Sequence, residues 1–122
     1  MQPTRITVDE VKERIDRGEP IVFVDCRRQD AWDGAQSKLP GAIRIPPYEV
    51  EAHFEELPEG RTLVTYCTCP NEESSTKVAI ALLDHGFKNV HPLYGGFDAW
   101  SKLGHPVEPK NARSTTQAGR RV

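Results

Sequence analysis

Cys67 closes an apolar β-like run, Leu63-Val64-Thr65-Tyr66, and a helical pattern starts a few residues later, beyond Thr68, Cys69, Pro70, Asn71 and Glu72. A parallel strand that feeds a helix through a short loop sets that loop at the carboxyl edge of its sheet. Ligands bind there, and helix N–H groups converge on the sulfur. Those N–H groups and the helix dipole favour thiolate over thiol, and the thiolate is the nucleophile. The competing reading makes Cys67 a small apolar residue at a strand end, since free cysteine is among the most buried residue types.

The neighbouring residues narrow the chemistry. Cys69 is either an oxidation partner for Cys67 or a spectator, because one intervening residue makes the ring small and strained. Cys26 follows an apolar run and reads as packing. Structural zinc uses two pairs of cysteine or histidine, whereas one tight pair exists here and His53, His85, His91 and His105 are scattered. No metal or cofactor is therefore expected. Phosphatase or arsenate-reductase chemistry needs an arginine closing the loop on an oxyanion, and none follows Cys67 before Arg113. Glu72 and Glu73 would oppose a thiolate and repel a dianion if they faced the pocket. As surface residues in a helix's first turn they would be stabilising.

These residues need a scaffold, and the sequence outlines one. Residues 6–8 read as a short strand or entry segment, and Thr7 or Asp9 can cap a helix over 10–17, closed by Gly18. The run Ile21-Val22-Phe23-Val24-Asp25 suits a strand buried on both faces. A short helix or turn over 28–33 precedes a polar loop, 34–38, and a brief strand over 42–45. A helical segment over 48–56, a strand over 62–66 and a helix over 73–85 with Gly86 as its left-handed cap come next. A strand over 90–93, the Gly95-Gly96 turn and a helix over 97–103 complete the alternation. Residues 1–106 form the expected domain, and 107–122 read as a polar tail unable to bury enough apolar area to order itself.

Bulk properties exclude other classes. At 122 residues the chain suits one domain, and 37% hydrophobic with 28% charged residues is ordinary for a soluble protein. A net charge of −2 gives no basic face for nucleic acid. No run reaches the roughly 20 apolar residues of a membrane helix. With no signal-peptide pattern at the start, the expected address is cytoplasmic, where three cysteines point to chemistry instead of disulfide stapling.

Four short segments then occur in one order: Asp25-Cys26-Arg27, Leu39-Pro40-Gly41-Ala42, Tyr66-Cys67 and Gly95-Gly96-Phe97-Asp98-Ala99-Trp100. In this the chain resembles single-domain rhodanese-like proteins. The resemblance implies an α/β three-layer fold, a five-stranded, mainly parallel sheet with helices on both faces. It implies that Cys67 accepts sulfane sulfur as a persulfide and passes it on, and that Asp25 and Arg27 form a structural pair. Cys69 could then attack that persulfide or stand by.

The loop departs from the family's usual form. It runs Cys67, Thr68, Cys69, Pro70, Asn71, Glu72, Glu73, Ser74, Ser75, two residues longer if Cys67 ends the strand, with no cation. Its backbone is the expected anion cradle. The expected partners are a sulfur donor and a thiol acceptor, small or protein, with thiosulfate a poor donor. The alternative is a non-catalytic module that binds a partner or senses redox state through Cys67 and Cys69.

Overall fold

A computed structural model describes residues 3–68 and 72–111. Helix α1 spans Val8–Asp16, and the Thr7 hydroxyl accepts the Glu10 N–H at 3.1 Å, so Thr7 is the cap. Strand β1 (Ile21–Asp25) is followed by α2 (Gln29–Gly34), β2 (Ser37–Lys38) and β3 (Ile43–Arg44). A 3-10 helix over Val50–Glu56 leads to β4 (Thr62–Tyr66). Helix α3 (Glu73–Asp84), β5 (Val90–Pro92), α4 (Gly96–Lys102) and β6 (Glu108–Pro109) complete the order.

The central sheet has the order β3-β1-β4-β5 and is parallel throughout. Beyond β5 a single parallel bridge joins Ile6 to Leu93, so the expected fifth strand is reduced to one rung. Alternating side chains divide the core in two. One face carries Val22, Val24, Leu63 and Val90 against Val78, Ala79 and Leu82 of α3 and Val50 of the 3-10 helix. The other carries Phe23, Val64 and Tyr66 against Val8 and Val11 of α1 and Trp100 of α4. The burial of β1 and β4 on both faces explains their unbroken apolar runs.

The segment expected to be tail opens with structure. Ser37 pairs with Pro109 and Lys38 with Glu108 in an antiparallel ladder, and the Lys110 N–H reaches the Gln36 carbonyl at 3.0 Å. Each strand has only two residues and no apolar alternation, so neither carries a strand signal. Specific polar contacts hold them: Lys38, only 4% exposed, lies 3.7 Å from Glu108, whose other contact is the Gly41 N–H at 2.8 Å. The remaining expected tail, residues 112–122, lies outside the described residues.

Candidate active site

From β1 the chain moves outward to β3, and from β4 it moves the opposite way to β5. The crevice where strand order reverses therefore lies between the carboxyl ends of β1 and β4, the usual ligand position in such sheets. Cys26 and Cys67 are the first residues past those two ends.

Cys67 is 1% exposed. Its Sγ lies 3.7 Å from the Ser75 hydroxyl in the first turn of α3, and that hydroxyl donates to the Glu72 carbonyl at 3.2 Å. The Thr65 hydroxyl donates to the Ser75 carbonyl at 2.9 Å, tying the strand end to the helix start. On the far side the Cys67 carbonyl accepts the Phe97 N–H at 3.0 Å. Gly96 (φ 60°) is pressed so closely here that a Cβ would stand 2.1 Å from the Cys67 oxygen. This approach explains Gly96, which admits the cysteine's backbone and opens α4, while at Gly95 (φ 81°) a Cβ would meet the Ala99 side chain at 2.5 Å.

Glu72 neither faces the sulfur nor points to solvent. It adopts a left-handed backbone (φ 52°, ψ 41°) and is 7% exposed. One carboxylate oxygen pairs with Arg5 and the other accepts the Gly95 N–H at 3.2 Å. Arg5 in turn lies over the Tyr94 ring, 4.8 Å from its centroid. Glu72 raises the Arg5 pKa through a side-chain hydrogen bond and its charge. The cation absent from the loop thus comes from the other end of the chain, where no local pattern announces it. Glu73 is exposed, as are Lys77 and Thr68, while Ser74 and Ser75 are buried. Cys69, Pro70 and Asn71 lie outside the described residues.

Asp25 and Arg27 form a buried ion pair. The guanidinium Nη2 meets Asp25 Oδ2 at 2.6 Å and the Ser37 carbonyl at 2.9 Å, with both side chains sealed from solvent. Burial works against the Arg27 charge, but the Asp25 carboxylate outweighs it and leaves the pKa above its ordinary value. Two further residues join this cluster. The Tyr66 hydroxyl donates to Asp25 Oδ2 at 2.6 Å and accepts the Leu39 N–H at 3.1 Å. Burial, and next the Asp25 charge, push its pKa well up, so it stays a donor. Arg44 Nη1 stands 3.6 Å from Asp25 Oδ1, and its Nη2 is buried with no hydrogen-bond partner among the described residues.

Near the head of α3, an open groove of about 480 Å3 is lined by Arg28, Gln29, Asp30, Tyr48, Glu73 and Lys77, with no cysteine in its wall. A second, of about 550 Å3, lies where the chain enters β4 and β5, among Phe54, Arg61, His85 and Phe87, and no cysteine lines it. Among the described residues no cluster of acidic, histidine or cysteine side chains could hold a metal, and no helix is long and apolar enough to cross a membrane.

A parallel α/β sheet with a cysteine at its switch point, heading a helix, defines the class: an α/β protein built around a thiol. The family model of the rhodanese-like domain matches residues 7–103, and the chain belongs to that family. The thiosulfate sulfurtransferase GlpE of Coxiella burnetii is 31% identical over 91 residues, covering 75% of this chain and 80% of the relative. A sulfurtransferase of Allochromatium vinosum is 28% identical over 84% of this chain and 92% of its own. A full-length protein from Lactobacillus plantarum shares the fold, with a TM-score of 0.75 over 86% of this chain and 87% of that one at 23% identity.

Proposed function

We propose that this protein is a sulfurtransferase in which Cys67 carries sulfane sulfur as a persulfide. The Cys67 thiolate attacks the outer sulfur of a donor persulfide R–S–SH. The donor's S–S bond breaks, R–SH leaves, and the enzyme holds Cys67–S–SH. An acceptor thiol then attacks the outer sulfur and restores the Cys67 thiol. The observation carrying this reading is the place of Cys67 at the switch point, its Sγ 3.7 Å from Ser75 at the head of α3. Once the sulfur is anionic, the Ser75 hydroxyl turns to donate to it, and the backbone of the Thr68 to Ser75 loop supplies the remaining N–H groups.

Charge argues for a persulfide donor over free thiosulfate. The loop carries no lysine or arginine, and Arg5 is committed to Glu72. Glu73 shares its groove with Arg28 and Lys77, but a dianion that reaches the loop itself finds no lysine or arginine there, whereas a thiol persulfide brings less charge. The expected donor and acceptor are therefore thiols, small or protein-borne.

The burial of Cys67 favours a second reading, a redox-sensing or partner-binding module. Sulfur delivery to a thiol this enclosed requires the protein to open around it. One experiment separates the two. Reduced protein is incubated without oxygen with inorganic polysulfide, cysteine persulfide or thiosulfate, and its intact mass is measured. A one-sulfur adduct from the first two donors that Cys67→Ser cannot form is the expected result. No adduct from any donor would leave the non-catalytic module standing.

A further inference from the structure

We propose that Cys26 is the resolving thiol of this site: when no acceptor collects the sulfur, it attacks the Cys67 persulfide and closes a Cys26–Cys67 disulfide. This inference rests on the persulfide reading of Cys67 and adds a second reactive residue to it.

The sheet itself brings the two together. Strands β1 and β4 pair in register, with Asp25 opposite Tyr66, and the Cys26 N–H donates to the Tyr66 carbonyl at 2.8 Å. The same register continued by one residue places Cys26 next to Cys67, and the Cys67 charge is among the influences on the Cys26 thiol. Val22, Val24 and Cys26 share one core with Leu63, and Cys67 follows Leu63 and Thr65 at the two-residue period of a strand, so both thiols belong to the same face. They are sealed from water together, at 0% and 1% exposure. The Cys26 thiol makes a weak contact, 3.5 Å from the Val24 carbonyl.

Neighbouring strands lie about 4.8 Å apart, inside the roughly 4.4–6.8 Å between Cα atoms that a disulfide spans. Side chains standing parallel on a pleated sheet must still lean together for the sulfurs to bond, which strains the bridge and leaves it easily reduced. Burial, the Asp25 charge and the Cys67 charge, in that order, raise the Cys26 pKa. Its thiolate is therefore scarce, and resolution is slow beside a bound acceptor. Enforced proximity compensates in part.

The step balances without an outside oxidant. The Cys26 sulfur attacks Cys67 Sγ, the bond from Sγ to the outer sulfur breaks, and that sulfur leaves as HS⁻. The two cysteine sulfurs are oxidised to a disulfide while the sulfane sulfur is reduced to sulfide. Unclaimed sulfur is thus discharged and Cys67 is locked until a thiol reductant reopens it.

The test uses Cys69→Ser, which leaves Cys26 and Cys67 intact, loaded with inorganic polysulfide under nitrogen and then stripped of reagent. The one-sulfur adduct should decay to a form two hydrogens lighter than the reduced chain, with one sulfide released per chain, and peptide mapping should join Cys26 to Cys67. In Cys69→Ser with Cys26→Ala the adduct should persist about tenfold longer or more. An equal lifetime in both variants, or a mapped bridge that omits Cys26, overturns the inference while leaving Cys67 a sulfur carrier. Absence of any adduct in either variant overturns the carrier reading itself, and this inference with it.

Discussion

The two flanks of Cys67 are built on opposite principles. On the β1 side, Asp25 gathers Arg27, Tyr66 and Arg44 from three adjacent strand ends, and the ladder hydrogen bonds of the sheet hold those ends independently of the side chains. On the Gly95 side, Glu72 is pulled into a left-handed conformation by Arg5, 67 positions away, and by one backbone N–H. Such a conformation costs a residue with a Cβ about 1 kcal/mol or more. The first flank is a floor that exists wherever the sheet exists. The second is a wall that stands while the N-terminal segment holds it.

Asp25→Ala should break the floor most severely. It strands the buried Arg27 guanidinium beside Arg44, whose Nη2 already lacks a partner among the described residues, and it removes the acceptor of the buried Tyr66 hydroxyl. Breaking a buried pair by removing one member costs about 3–5 kcal/mol. Urea unfolding should show that loss; a change within error would mean the cluster does not hold the sheet edge. Gly96→Ala attacks the wall where it meets Cys67. With φ at 60° and the Cys67 oxygen 2.1 Å from the new Cβ, backbone must move, at about 2–4 kcal/mol. Sulfur loading of Cys67 should fall at temperatures where the variant remains folded, because the displaced atom belongs to the cysteine itself.

The same contrast explains how much could be read from the chain. Strands β1 and β4 end at the residues expected, 25 and 66, because burial on both faces writes a continuous apolar run. Helix α3 ends as Gly86 indicates, at φ 111°. The Asp25–Arg27 pair was legible through the family resemblance, and with its members two apart it needs no distant contact to form. The strand pair β2–β6 was not, being two residues on each side and held by a lysine and a glutamate 70 positions apart. Nor was Glu72: its sequence neighbours offered the choices of pocket or solvent, and the third outcome, a carboxylate anchored by Arg5, depends on how the bridge at Ile6 brings the chain's start beside the Gly95 turn. Local pattern reports elements and near pairs; contacts between distant polar residues leave no periodicity to read.

The smallest expected effect is the sharpest test of the wall. If Glu72 were a free charge at the pocket, Glu72→Gln would raise thiosulfate use by relieving repulsion. Since Arg5 and the Gly95 N–H occupy its carboxylate, the substitution should not raise it. The half-exposed Arg5 also makes the ion pair a minor contributor to stability, so the unfolding midpoint should move little. The loop should still loosen, because a neutral amide holds Arg5 less firmly and the left-handed backbone relaxes. Faster alkylation of Cys67, in a Cys69→Ser background, is the expected sign. Glu73→Gln acts differently, on an exposed carboxylate lining the groove with Arg28 and Lys77. It should lower the KM for thiosulfate modestly, with unchanged Cys67 alkylation. Reversal of the two outcomes, thiosulfate gain from Glu72→Gln and faster alkylation from Glu73→Gln, would move the anchor from residue 72 to residue 73.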